Sequence, residues 1–195
     1  MLRAYISSNS PSSKSILLTL TIIPPRMANI VLPQLGPWAE SHIQAITQAT
    51  TQQNFDEAFD SFVTKDESHL EITFNGARIT RNEYKARLRG EAFDEVGAIV
   101  HFNGITTVPG KDGDVTSNFI GEADISYTAI IAEGIVIHDA SVERKITSSI
   151  NISVENDSTI HKPTSPAGIR GFFDPRRAFK INQVITNAPN ATSSA

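Results

Sequence analysis

The feature that most constrains this chain is a regular alternation of apolar and polar residues in its second half. Along Val142–Asn156, residues Ile146, Ile150 and Ile152 fall on one face at period two, and Thr147 lies among the polar residues of the other. Alternation of this length predicts a long β-strand with one face in the core. Similar patterns predict three further strands, over residues 98–108, 118–132 and 176–186.

The first half of the chain predicts helices. From Gly36 onward, Trp38, Ile46 and Ala49 recur at helical spacing, with either His42 or Ile43 between them on the same face, and Pro37 stands where a first helical turn tolerates it. A second helix is expected with Asn54 as its N-cap. Its phenylalanines should face inward. They are Phe55, Phe59 and Phe62.

A short hairpin and a third helix follow. The pair Asn75-Gly76 is typical of a two-residue hairpin turn. Thr80 and Glu83 have the spacing of a capping box, and Gly90 is expected to close the helix. Helices, a short hairpin, a capped helix and then four long strands make an α+β order.

Composition excludes several classes of function. The chain has 195 residues, enough for one well-buried core. A net charge of −4 and a pI near 5.7 argue against nucleic-acid binding by phosphate neutralisation. Without cysteine there is no disulfide, thiolate zinc site or cysteine nucleophile. The spacing of the five histidines matches no metal motif, so neither a metal nor a cofactor is expected.

The N-terminal stretch contains no acidic residue before Glu40. Residues 1–26 fit a mitochondrial transit peptide in composition but have few basic residues, and as a signal peptide they lack small residues at the expected cleavage site. They are too short to span a bilayer. The alternative that we favour is a biological start at Met27, which makes cytoplasmic location the default expectation.

Two stretches carry a resemblance to a known superfamily. FDEAFDSFVTKDESHLEITFNGARITRNEYKARLRG, which starts at Phe55, and RRAFKINQVIT, which starts at Arg176, resemble the nuclear-transport-factor-2-like (NTF2-like), or SnoaL-like, superfamily, and in particular small uncharacterised fungal members. The resemblance implies a cone-shaped, cystatin-like roll in which three helices pack on a curved antiparallel sheet. It divides the chain into an extension (1–35), the domain (36–188) and a polar tail (189–195).

In such a cone a pocket lies between the helices and the concave face of the sheet. Period-two parity places four polar side chains on the apolar faces of the strands, and they are the predicted ligand contacts. They are Tyr127, Arg144, Ser148 and Gln183. The same parity places Phe119 and Arg177 on the inner face of their strands. On the strand over residues 98–108, Ile99 and His101 share one face and Val100 and Phe102 share the other, and the pattern allows either face to point inward.

Arg144 is an unusual residue on an apolar strand face. An unpaired buried charge costs several kcal/mol, so Arg144 needs a partner or a position at the rim of the cone. Parity indicates no inward carboxylate on the neighbouring strands. The open explanations are therefore an anionic ligand group, a subunit interface or a rim position.

The superfamily includes isomerases, dehydratases, cyclases and non-catalytic binding proteins, so the fold does not select a function. We rank first a protein that binds a small apolar molecule. The second hypothesis is a cofactor-independent isomerase, cyclase or dehydratase with a polyketide- or terpenoid-like substrate, and His101 is the weak candidate for its base. His138 is the other histidine that could lie inside. A homodimeric interaction domain ranks third; no nucleic-acid or membrane partner is expected.

Overall fold

The computed structural model describes residues 32–91, 95–110, 118–137, 140–161 and 173–190. Within these ranges the helices come first and the strands of one sheet follow, which confirms the predicted α+β class. The helices are α1 (Leu35–Thr47), α2 (Gln52–Phe62) and α3 (Arg81–Glu91). The strands are β1 (Glu71–Phe74), β2 (Ala77–Ile79), β3 (Glu95–Pro109), β4 (Phe119–Ile137), β5 (Ala140–Asn156) and β6 (Arg176–Pro189).

The sheet has six strands in the order β2-β1-β6-β5-β4-β3. Its neighbouring strands are antiparallel, except that the short β1 pairs in parallel with β6. The long strands β3 to β6 supply most of the surface against which the helices pack. The sheet therefore presents one broad face to the helices, and side chains that alternate along each strand divide between this inner face and the outer one.

Side-chain caps mark the N-termini of α2 and α3. At α3 the backbone N–H of Thr80 donates to the Glu83 carboxylate at 2.8 Å and the Glu83 N–H donates to the Thr80 hydroxyl, which confirms the capping box. The predicted N-cap of α2 is wrong. The Thr51 hydroxyl accepts from the Asn54 N–H, so the helix begins earlier. Gly90 lies within α3 and does not close it.

The predicted Asn75-Gly76 turn joins β1 to β2. Asn75 has φ of 49° and Gly76 has φ of 81°, the left-handed conformation that a tight hairpin requires. The Asn75 side-chain oxygen also accepts from the backbone N–H of Ile185 at 2.8 Å. The turn thus fixes the hairpin against β6, the strand that contributes to the candidate site.

The structure settles which face of β3 is inside. Val100 and Phe102 pack against the core, whereas Ile99 is 60% exposed and His101 is exposed beside it. The preference follows from the register, because Val100 lies opposite the fully buried Ala129 of β4. On β3 the inner face is therefore formed by the even-numbered residues up to the irregularity after Phe102.

At two strand ends a β-bulge changes which face of the sheet a side chain occupies, so the prediction from alternation fails there. Phe119, predicted to face inward, is 38% exposed because the register shifts between Phe119 and Gly121. At the start of β6 the register shifts opposite Ser153 and Val154, and it is Arg176 that is buried while Arg177 is half-buried. Of the part of the chain that the structure describes, no helix has the length and apolar character needed to cross a membrane.

Candidate functional site

A cavity lies between the three helices and the inner face of the sheet. Its volume is about 40 Å³, space for roughly three water molecules or a small organic group if one water needs ~10–15 Å³. Its walls are mainly apolar, and six isoleucines supply much of their surface. The apolar lining residues are Ile43, Ile46, Phe62, Leu88, Ile131, Ile146, Ile150 and Ile185, and the polar ones are Thr47, Tyr84, Tyr127 and Gln183.

A hydrogen-bonded network of buried side chains includes three of the polar lining residues, Tyr84, Tyr127 and Gln183, together with Ser148 behind them. The Tyr84 hydroxyl donates to Gln183 Oε1 at 2.8 Å. Gln183 Nε2 donates to Ser148 Oγ at 2.9 Å and to the Tyr127 hydroxyl at 3.3 Å. Each of the four side chains is at most 5% exposed. Because buried polar groups are costly unless they are paired, such a network fixes the positions of all four groups.

The sequence predicted three members of this network. Tyr127 on β4 pairs with Ser148 on β5, and Gln183 on β6 pairs with Ile150, two residues from Ser148 on the same face, so the three side chains meet. The fourth member, Tyr84 of α3, is not among the contacts that the sequence predicted. Its phenol was a signal in itself, since a buried tyrosine hydroxyl usually requires a partner.

The Tyr84 phenol remains neutral. Its complete burial, with a smaller contribution from Tyr127, raises the pKa of Tyr84 well above its ordinary value. The other described lining residues are amide, hydroxyl or apolar side chains. The wall of the cavity therefore suits an uncharged group that can hydrogen bond.

Arg144 has a protein partner. Its Nε forms an ion pair with the Glu133 carboxylate of β4, and both side chains are only 19–20% exposed. The expectation that no inward carboxylate lies nearby is wrong, because β4 continues to Ile137 and Glu133 follows Ile131 on the same face. Arg144 is absent from the described lining of the cavity, so the structure does not join it to Tyr127, Ser148 and Gln183.

His101, the histidine candidate that the structure describes, lies apart from this network. His101 is exposed on β3, opposite Thr128, and does not belong to the described cavity lining. His138 lies outside the described residues. His101 as a catalytic base stays a prediction.

Another histidine, His42, occupies a half-buried position near the cavity. Its ring stacks on Phe62, with 5.7 Å between centroids, and its Nδ1 lies 3.3 Å from Ser61 Oγ. Burial, together with the positive charges of Arg177 and Arg176 and against the negative charge of Asp174, lowers the pKa of His42 to about 4. His42 is therefore neutral at pH 7. The sequence placed it only as an alternative to Ile43 on the apolar face.

Comparisons with known proteins give a likeness in fold. No family model and no curated protein matches the chain. The chain is similar to the crystal structure of an NTF2-like protein of unknown function from Pseudomonas aeruginosa, with 12% identity, a TM-score of 0.40, and coverage of 77% of this chain and 94% of that one. It is also similar to an NTF2-like protein of unknown function from Exiguobacterium sp. 255-15, with 13% identity, a TM-score of 0.36, and coverage of 78% and 94%.

Both solved structures carry the name NTF2-like that the sequence resemblance suggested. The resemblance to fungal members has no support among them. At these identities the likeness concerns the fold alone, and neither protein has a stated function to compare.

Proposed function

We propose that this protein binds a small neutral molecule, or the uncharged end of a longer one, in the cavity between its helices and sheet. The observation that carries this function is the Tyr84–Gln183–Tyr127 network in a mainly apolar wall. Apolar surface provides the affinity, and a few fixed polar groups provide orientation and selectivity. No part of this function uses Arg144, whose charge is already matched by Glu133.

Isoleucine methyl groups give a direct test. Six isoleucines line the cavity, so the full chain with ¹³C-labelled isoleucine methyl groups should show selective shifts when a small ligand enters. Native mass spectrometry of the purified full chain supplies a first ligand, if one copurifies. Small neutral alcohols, ketones and hydrocarbons serve as probes otherwise.

A cavity-filling variant and a matched control separate binding in the cavity from binding elsewhere. Leu88→Trp places a large ring at the half-buried lining position on α3, whereas Ala86→Trp adds the same ring on the exposed side of the same helix. We expect Leu88→Trp to abolish the isoleucine shifts and Ala86→Trp to preserve them. Shifts that survive in Leu88→Trp, or no response of the wild type to any probe, would refute the binding function.

A homodimer is the second candidate, and the outer face of the sheet favours it. There, Ser126, Ser149 and Val184 form one row across β4, β5 and β6, and Thr128, Thr147 and Thr186 form the next. These side chains are small and uncharged, and Val184 is 54% exposed. Two neighbouring rows of small, uncharged side chains can pack against the same rows of a second copy of the chain.

The oligomeric state tests this candidate. We expect light scattering to give a dimer mass for the wild type and a monomer mass for Ser149→Arg, which buries two added charges in the interface. Ala86→Arg, on the exposed side of α3, should remain a dimer. A wild-type monomer at high protein concentration would exclude this role for the outer face.

Catalysis by His101 remains the alternative to simple binding. It would require the exposed imidazole to reach a bound substrate, and no contact between His101 and the cavity supports this arrangement. We expect His101→Ala to leave the affinity of cavity ligands unchanged. Loss of turnover of an identified ligand in this variant would favour the catalytic alternative.

A further inference from the structure

Most polar side chains that line the cavity donate their hydrogen bonds to other groups of the protein. Thr47 donates its hydroxyl proton to the Ile43 carbonyl at 2.8 Å, and Tyr84 donates its own to Gln183 Oε1. Both N–H groups of the Gln183 amide are directed to other protein oxygens, those of Ser148 and Tyr127. Three of the four polar lining residues therefore have their donors committed to protein acceptors.

Thr47, Tyr84 and Gln183 can still accept hydrogen bonds from a ligand. A phenol oxygen and a threonine oxygen that donate their protons still hold lone pairs, and an amide oxygen can accept a second hydrogen bond. Tyr84, Thr47 and Gln183 thus offer the cavity oxygen lone pairs and no proton. A ligand oxygen without a hydrogen, such as that of a ketone, finds no donor from these groups and loses the hydrogen bonds it had in water.

We propose that the cavity selects ligands that carry a hydrogen-bond donor, and specifically neutral alcohols over the corresponding ketones. This selectivity rests on the binding function proposed above and names the chemical class of the ligand. An alcohol donates to Tyr84 or to Gln183 Oε1, while its carbon skeleton contacts the isoleucines. The alcohol oxygen can accept from Tyr127 as readily as a ketone oxygen can, so the Tyr127 hydroxyl does not offset this preference. An ammonium ion also carries donors, but its charge has no described partner among the lining residues and its desolvation in the cavity is unfavourable.

Gln183 sets this preference, because its amide has two orientations that exchange the oxygen and the nitrogen. With the nitrogen directed to Tyr84, the phenol would accept from the amide and release its own proton to the cavity. The cavity would then offer a donor that both alcohols and ketones can use, and the preference for alcohols would be smaller. The orientation in the structure, with Oε1 on Tyr84 and Nε2 on Ser148, is the one that favours alcohols.

Propan-2-ol and acetone make a matched pair of probes, since they are the smallest alcohol and ketone with the same carbon skeleton and suit a cavity of about 40 Å³ best. Titrations of the full chain, followed by the isoleucine methyl signals, give both dissociation constants. We expect propan-2-ol to bind at least about fivefold more tightly, the range expected for one net hydrogen bond. Tighter binding of the ketone, or equal affinities, would overturn the selectivity, whereas no binding of either probe would refute the binding function itself.

Gln183→Met provides a sharper test, because it removes the acceptor of the Tyr84 proton while keeping a side chain of similar length. The freed phenol proton can then donate to a ligand, so acetone gains a hydrogen bond that it lacks in the wild type and the preference for propan-2-ol should shrink. A variant with the wild-type preference unchanged would contradict the assigned role of Gln183. If Gln183→Met does not fold, Tyr84→Phe leaves Gln183 Oε1 as an acceptor, so the alcohol should still bind more tightly, and equal affinities of the two probes would contradict the inference.

Discussion

His42 allows a quantitative prediction of how stability depends on pH. Its pKa is about 4 in the folded protein against an ordinary value of 6.5. The unfolded chain therefore binds a proton that the folded chain does not as the pH falls through 6.5, and folding becomes less favourable. This contribution to stability is fully present above pH 6.5 and is lost as the pH approaches 4.

The magnitude follows from the two pKa values. Between pH 7.5 and pH 5 the linkage relation gives a loss of about 2 kcal/mol, and the partial exposure of the ring reduces the expected effect to about 1–2 kcal/mol. Few unfolded-state carboxyl groups titrate above pH 5, so histidine dominates this window. Groups that face His42 are Arg177, Arg176, Asp174 and Ser61.

Urea unfolding of the wild type and of His42→Gln at both pH values is the assay. Glutamine retains a polar group near Ser61 and does not titrate. We expect the wild type to lose about 1–2 kcal/mol more than His42→Gln between pH 7.5 and pH 5, because only the wild type carries the titrating ring at this position. An identical pH dependence in the two proteins would show that His42 is not held neutral by its surroundings.

Three further variants test the fold. Thr80→Ala removes the capping box of α3 and should cost about 1 kcal/mol in urea unfolding. Gly121→Ala should cost at least ~2 kcal/mol in the same assay, because φ is 149° and a Cβ would lie 2.5 Å from the Val108 carbonyl oxygen; unchanged stability would contradict this close approach. Asp60 is paired with Arg81 and Lys65; burial alone would raise the pKa of Asp60, but those hydrogen bonds lower it to about 2. Asp60→Asn should therefore destabilise the protein by about 1 kcal/mol at pH 7, with a difference that disappears between pH 4 and pH 2.

The apolar patterns of the sequence determined the class of fold, the order of its elements and most of the residues that the sheet contributes to the cavity. Alternation at period two is a property of the extended backbone, so Tyr127, Ser148 and Gln183 could be placed on one face before their strands were paired. Local chemistry fixed the α3 cap and the Asn75-Gly76 turn in the same way. Both depend on residues a few positions apart in the chain.

Tertiary structure decided what lies between elements distant in sequence. Alternation does not predict the correct face at a bulge, as at Phe119. The sequence predicted that the strand ends at residue 132, whereas β4 continues to Ile137, so Glu133 was not recognised as the partner of Arg144. Only the packing of α3 on the sheet brings Tyr84 to Gln183, 99 residues away in the chain. The sequence thus determined which side chains face inward along each strand, whereas the hydrogen bonds that give the cavity its chemistry form only when helix and sheet meet, because their geometry depends on distances that no local pattern records.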